Sequence, residues 1–396
     1  MEKIENQEVK EYLMDVAISY LEICELFTEV YGKDFARKQL EANLTKVYTN
    51  EFSNRERGYA DIYDRSITIC SNIEKSNLLT PEEIKNDIAK KKTCVHEALH
   101  IIFVKNGTQK GTGIVEQYEN DTEIGRGFNE GLTNWIVKKA GLKPHSYIKL
   151  IGLIELLELA IGEKRVMKMA EGNIRENVTK QLKMPYKKCI AFLSQIDEAS
   201  IMQEQLEDIS NIIKVLENYE NVEDDETVDK EKAEADFLEL NNNPTYIEFL
   251  QDDDYKKRLE SINLEDSVPA RKNYFKYKQH EYESKERRTM NKIRDTIYTR
   301  YFEREFQRLV QSRKISVDKM KKFDNLYSFV TKKKLKSLEI RKFKKLYQHL
   351  DERCKEQSLK EAKKAFAKGK LSGSKLEKLY ELNDRGRGFN DADFFF

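Results

Sequence analysis

Residues 96–100 read His96-Glu97-Ala98-Leu99-His100, and further along stands Asn129-Glu130-Gly131-Leu132-Thr133-Asn134. Side chains four apart on a helix leave from the same face, so both imidazoles can reach one metal ion. Glu97, turned by about 100° from its neighbours, cannot point at that ion with them. It is placed instead to act on water held there, as general base and then as acid toward a leaving amine. Glu130, on a second helix, can supply a third ligand and leave the fourth position open. Two nitrogens and a carboxylate suit Zn2+, which lowers the pKa of water to roughly 7. The expected chemistry is hydrolysis, and a peptide or protein is the expected substrate.

Further positions bear on that chemistry. Asn134 lies one turn beyond Glu130 and can accept a hydrogen bond from the free N–H of a ligand histidine, fixing its tautomer. A developing oxyanion needs a donor besides the metal, and His145 and Tyr147, just after the Glu130 helix, are the candidates, with Tyr118 as another. An edge strand within 57–71 or 112–118 can bind extended peptide by strand addition.

The elements that must hold these residues follow from apolar spacing. Residues 7–27 and 33–48 read as two amphipathic helices, the first with Val9, Leu13, Val16, Tyr20 and Leu21. Tyr59, Ile62, Tyr63, Ile67 and Ile69 make 57–71 a hairpin or two short strands. Thr80 as N-cap, Pro81 in the first helical position and Glu83 in a capping box mark a helix start. Ile84, Ile88, Val95, Leu99 and Ile102 continue its apolar stripe to a stop at Asn106-Gly107, with His96 and His100 beside the stripe. Cys94, two residues before His96, reads as a small buried hydrophobe. Residues 108–127 look like loop plus a short strand, and a helix from about Phe128 to Ala140 carries Glu130. An apolar helix over 145–161 and more helices over 164–220 complete this part.

Composition supports a helical protein: 36% of the 396 residues are charged, with 16 Gly and only 5 Pro. The expected fold is α+β, mostly α, with a small mixed sheet. The most apolar stretch, 147–161, is too short for a bilayer and carries Lys149, Glu155 and Glu158, so no membrane role is expected. Met1-Glu2-Lys3-Ile4-Glu5 has no apolar run behind it, which predicts no secretory signal. The five cysteines (Cys24, Cys70, Cys94, Cys189, Cys354) form no CxxC pair and no disulfide framework. These features predict a cytoplasmic location.

The net charge of +1 hides an asymmetry. Of 71 Lys+Arg and 70 Asp+Glu, 36 and 18 fall in 271–396, which leaves 35 and 52 in 1–270. The two parts carry about +18 and −17, a split that suggests different partners or mutual docking. We divide the chain into a catalytic domain over 1–220, an acidic linker over 221–235, a basic helical domain over 236–383 and a loose tail over 384–396. Within the basic part, 322–327, 342–347 and 375–380 repeat a Lys-rich pattern ending in Leu-Tyr at unequal spacing, which fits a small bundle. Arg271–Arg288 interleaves charge with Tyr274, Phe275, Tyr277 and Tyr282, the mixture that binds phosphates and stacks on bases. The same aromatics recur at helical spacing with Ile293 and Ile297, the pattern of a core face. An alternative to the enzyme is therefore a nucleic-acid-binding or scaffolding protein, with a nucleic acid or acidic partner held through 271–396 and a structural or vestigial metal site.

His96–His100 followed by Asn129-Glu130-x-x-Thr133-Asn134 resembles the gluzincin group of zinc metallopeptidases, to which thermolysin-like enzymes belong. The resemblance covers about residues 55–165. It implies a zincin-like domain in which His96, His100 and Glu130 bind zinc and Glu97 is the general base. Two departures stand out. The group's usual aspartate four residues after the ligand glutamate is Asn134 here, and the spacer after His100 is longer than in many members. The longer spacer makes Glu116, Glu119, Asp121 and Glu123 rivals for the third ligand.

Overall fold

A computed structural model of the chain describes residues 4–50, 58–70, 88–104, 112–117, 123–144, 147–222, 229–261, 265–297 and a few positions beyond. The described elements are α+β and mostly helical, as composition and periodicity predict. They belong to two units, one of residues 1–155 with 163–290 and one of 156–162 with 291–396. All the candidate site residues belong to the first.

Helix α1 (Gln7–Ile23) starts at Asn6, whose side chain accepts from Val9 N at 3.0 Å. It buries Val9, Leu13, Val16, Ala17 and Leu21. Apolar spacing predicts one helix to residue 27, but extended backbone at Cys24 ends α1 and opens α2 (Glu25–Tyr31). A second correction concerns 33–48. Helix α3 (Phe35–Asn43) stops early, and Lys46–Asn50 is a strand. Val47, Tyr48 and Thr49 suit a pleated surface, and their partner lies in a later strand, so a local window cannot register the pairing.

That strand is β2 of a four-stranded sheet with β1 (Ile4–Glu5), β3 (Gly58–Asp61) and β4 (Ser66–Cys70), in the order β1-β2-β4-β3. β2 and β4 run parallel, with Val47 opposite Ile67 and Thr49 opposite Ile69, and the outer pairings are antiparallel. β3 and β4 are the hairpin expected within 57–71. Asp61 Oδ1 closes its turn by accepting from Tyr63 N at 3.0 Å and Asp64 N at 3.1 Å. β3 lies at the sheet edge.

Helix α4 (Ile88–Ile102) packs against α1, α3 and the β3–β4 hairpin. Val95, Ala98, Leu99 and Ile101 are buried. Its expected start at Thr80, Pro81 and Glu83 and its stop at Asn106-Gly107 lie outside the described residues. The carbonyls at its end have partners, as a buried helix terminus requires. Thr112 Oγ1 donates to His100 O, Asn43 Nδ2 to Ile101 O at 3.4 Å, and Gly113 N to Phe103 O at 2.9 Å. A short antiparallel pair, β5 (Glu116–Gln117) with β6 (Glu123–Ile124), follows.

Helix α5 (Arg126–Lys139) packs beside α4 and is itself buried along most of its length. It is followed by α6 (Ile148–Ile161), α7 (Glu163–Lys168), a π-helical turn at Ile174–Val178, α8 (Thr179–Leu182) and the long α9 (Tyr186–Glu220). Contact between α5 and α9 depends on Gly127. A Cβ there would lie 2.7 Å from Ser200 Cβ and 2.9 Å from Ile196 O, inside any real packing distance.

The chain continues through α10 (Lys230–Asn241), α11 (Pro244–Gln251), α12 (Asp253–Ser261) and α13 (Val268–Ile297). Ile209, Ile212 and Leu216 of α9 form one core with Leu240, Tyr246, Tyr255, Tyr274 and Phe275. This core draws on both sides of the acidic 221–235 stretch. Tyr274 and Phe275 are therefore interior side chains, and the Arg258 guanidinium covers Tyr277 with its carbon 3.8 Å from the ring centroid. The cations in the first half of α13 also have acidic neighbours. Lys272 pairs with Glu220, Lys276 with Glu217 at 2.7 Å, Lys278 with Asp254 at 2.7 Å, and Arg271 with Asp266 at 2.7 Å. Glu286, nearly buried, receives Lys149 at 2.5 Å. The repeats at 322–327, 342–347 and 375–380 and the tail over 384–396 lie outside the described residues. No described helix is long and apolar enough to cross a membrane.

Thr49, in the middle of β2, is 1% exposed and its hydroxyl has no hydrogen-bond partner among the described residues. An unsatisfied buried hydroxyl costs about 1–3 kcal/mol, and valine has the same shape. Thr49→Val should therefore stabilise the fold by about 1 kcal/mol in urea unfolding, and a loss of stability would contradict this account of the strand.

Candidate metal centre

The two histidines sit on consecutive turns of α4, and Glu130 sits on the second turn of α5, which packs beside it. Three side-chain ends converge. His96 Nε2 is 3.1 Å from His100 Nε2 and 3.1 Å from Glu130 Oε2, and His100 Nε2 is 3.3 Å from Glu130 Oε1. Ligand atoms at 2.0–2.1 Å in a tetrahedron lie about 3.3–3.4 Å apart. These spacings, which reach one oxygen of the Glu130 carboxylate from each imidazole, are close to those in such a tetrahedron, so the residues present fit a small tetrahedral cation. His96, Glu97 and His100 also offer ligand atoms that all lie within 4.8 Å of one another, a group that can hold a metal ion. Glu130 lies within 3.1–3.3 Å of both rings, and Glu97 adds a second carboxylate to the cluster.

Electrostatics sharpen the picture. All of these groups are largely buried, with side-chain exposures of 15% for His96, 8% for His100 and 17% for Glu130. Burial works against a charge on His96, but the hydrogen bond to Glu130 and the nearby Glu97 and Glu130 carboxylates outweigh it and raise His96 to about 9. Burial lowers His100 to about 4 against the pull of Glu130, and the charge on His96 lowers it further. Burial would raise Glu130, yet the two imidazoles and Arg126 draw it down to about 2. One positive charge is thus wanted inside the triangle, and two protons cannot both be accommodated there. A cation and a proton compete for this position.

The surroundings hold the donors in place. Asn134 Nδ2 donates to Glu130 O at 3.0 Å, and its side chain also hydrogen-bonds His96. Asn129 Nδ2 lies 3.2 Å from His100 Nδ1, and its Oδ1 accepts from Ile114 N at 3.3 Å. Asp197 of α9 acts at the start of α5, where Gly125 takes φ +92° and no side chain of the helix itself caps it. Its two carboxylate oxygens accept from Gly125 N and Gly127 N, each at 2.8 Å, so the helix that carries Glu130 is anchored one turn before the glutamate.

The remaining candidates fall out as follows. The Tyr147 hydroxyl donates to Glu204 Oε1 at 3.1 Å, and burial together with the Glu130 and Glu204 charges raises its pKa. His145 and Tyr118 lie outside the described residues, as do Glu119 and Asp121. Glu116 Oε1 accepts from Ile174 N at 2.6 Å, at the π-helical turn. Glu123 sits on β6, close enough to Arg126 for its charge to be felt. Of the rival third ligands, Glu130 is the one shown within 3.3 Å of both imidazoles. Cys94 is fully buried, and burial, with the Glu97 charge, pushes its thiol up to about 12, so it is an inert packing group.

Sequence reasoning passed over Arg126, Asp197 and Glu204. Arg126 had a signal, since it stands four residues before Glu130 on one helical face. Asp197 and Glu204 had none, because nothing local connects α9 to the start of α5.

Comparison with family models, with curated proteins and with solved structures finds no match for this chain.

Two outcomes follow from the geometry. Asp197→Ala should weaken Zn2+ binding about tenfold by equilibrium dialysis, because it frees the start of α5, and Asp197→Glu should recover part of the loss. Metal affinity should also depend on pH. His96 holds a proton up to about pH 9 and must release it to bind metal, so affinity should fall about tenfold for each unit below that pH. Competition titrations against a chromophoric chelator between pH 6 and 8 measure the slope, and a flat profile contradicts the competition.

Proposed function

We propose that the chain is a zinc-dependent peptidase of the gluzincin type, with His96, His100 and Glu130 as metal ligands. The observation that carries this reading is the triangle of two imidazole nitrogens and a carboxylate with edges of 3.1–3.3 Å, next to a further carboxylate on the same helix as the histidines. Mixed nitrogen and oxygen donors in that geometry favour zinc over calcium or magnesium, which prefer all-oxygen sites. When bound, zinc supplies Lewis acidity and an open coordination position that bring the pKa of water to roughly 7.

Glu97 then has a defined task. It takes a proton from the water whose oxygen attacks the scissile carbonyl, and hands it to the amine nitrogen as the C–N bond breaks. Its near-complete burial, at 7% exposure, keeps competing solvent away from the carboxylate. Asn134 holds His96 in one orientation. Tyr147 is the described candidate for a donor to the developing oxyanion, by turning its hydroxyl from Glu204. The β3 edge offers backbone groups to an extended peptide. Buried free thiols at Cys24, Cys94 and Cys189 support a reducing compartment, hence a cytoplasmic enzyme. The alternative role in binding nucleic acid draws less support from the first half of α13, where the cations from Arg271 to Lys285 pair with acids of the same chain.

The purified chain should take up about one zinc per molecule. Glu97→Gln should keep that zinc and lose peptide cleavage by a factor on the order of 10²–10⁴, measured on a peptide library. Undiminished cleavage by Glu97→Gln, or no zinc uptake by the native chain, would sink the reading.

A further inference from the structure

Arg126 stands on the first turn of α5, four residues before Glu130 and on the same face, so the two side chains are neighbours about 5–6 Å apart at Cβ. Its side chain is 60% exposed, and its one recorded ion pair is loose, with Nη2 3.9 Å from Glu204 Oε1. Among the described residues it makes no hydrogen bond. A guanidinium carries five N–H donors in a fork that matches a carboxylate. Exposed pairs at such a distance contribute little, so an arriving anion can take this cation from its neighbour. Glu204 is the more committed partner, because it also accepts from Tyr147 at 3.1 Å.

Exposed aliphatic residues lie close in sequence to the residues of this cluster. Ile148, which follows Tyr147, is 65% exposed, and Ile201, one turn before Glu204 on α9, is 54% exposed. Exposed aliphatic side chains on the segments that carry Tyr147 and Glu204, together with a loosely held cation, are the two features that would recognise an apolar residue ending in a carboxylate.

We propose that Arg126 binds the C-terminal carboxylate of a peptide substrate, which makes the enzyme a carboxyl-terminal exopeptidase that favours apolar terminal residues. This rests on the peptidase reading and extends it to the substrate class. Arg126 and Glu130 are one helical turn apart, so a carboxylate on Arg126 belongs a short way along the chain from a carbonyl poised at the metal.

The test uses the full-length, zinc-loaded chain and mercaptoacetyl-leucine, as free acid and as amide. The thiol binds the metal in both forms, and only the acid carries the terminal charge. The acid should bind about ten- to a hundredfold more tightly than the amide, by calorimetry. In Arg126→Gln the two should bind alike, at the affinity the amide shows for the native chain, and Arg126→Lys should restore part of the preference. Unchanged zinc content in both variants shows that the metal site is intact. Equal binding of acid and amide to the native chain, or a preference that survives Arg126→Gln, overturns the carboxylate site. An acid preference in a chain that cleaves no peptide overturns the peptidase reading alone. If neither form binds, both readings fall.

Discussion

Two imidazole nitrogens and the two oxygens of one carboxylate are held in contacts of 3.1–3.3 Å at a largely buried site, and much of the surrounding structure makes sense as the means of keeping them there. Lone pairs at that separation repel unless positive charge lies between them. The opposed shifts of His96 and His100 express this: one imidazole is driven to hold a proton and the other to give it up. A divalent ion satisfies the same demand more fully, because it bonds all three donors at once. The need for a cation therefore comes from packing two helices, α4 and α5, with these side chains at their contact.

Such an arrangement is costly to build, since α4 and α5 must both be central. α4 is enclosed by α1, α3 and the hairpin, and its last carbonyls are satisfied by Thr112, Asn43 and Gly113. α5 is pressed against α9 at Gly127, and the Asp197 carboxylate binds the two N–H groups that open it. Polar atoms inside this region mostly bridge one element to another: Asn129 joins the Ile114 backbone to His100, and Asn134 joins His96 to the α5 backbone. Asn134 is a neutral amide that donates to the Glu130 carbonyl and hydrogen-bonds His96. The neutral amide leaves the charge balance of the pocket to Glu130 and Glu97.

Charge organises the second half of the described unit in a different way. The basic side chains from Arg271 to Lys285 are each matched by an acid from α9, α12, α13 or the segment before α13, while Tyr274 and Phe275 fill the core beneath. The opposite charges of the two parts of the sequence thus meet as close ion pairs along this helix. Surface pairs of this kind contribute modestly to stability, but they set the register of α13 on its neighbours. Aromatic residues that in sequence resemble a stacking platform are interior because their spacing is that of a helix with one apolar face.

The sequence by itself determined the local features. Four-residue spacing put His96 and His100 on one face, alternating β-prone residues made 57–71 a hairpin, and the Asn129-Glu130 motif pointed to a second acidic residue on its own helix. Each of these rests on periodicity over a few residues, where backbone geometry alone dictates direction. Tertiary structure decided everything that depends on partners far along the chain. It turned 46–50 from helix to strand by pairing it with 66–70, chose Glu130 over Glu116 by giving Glu116 to the Ile174 amide, and brought Asp197, Glu204 and Arg126 to one end of α5. Those outcomes turn on which surfaces pack together, and packing is settled by the shape and burial of the whole unit, information that no short window of sequence contains.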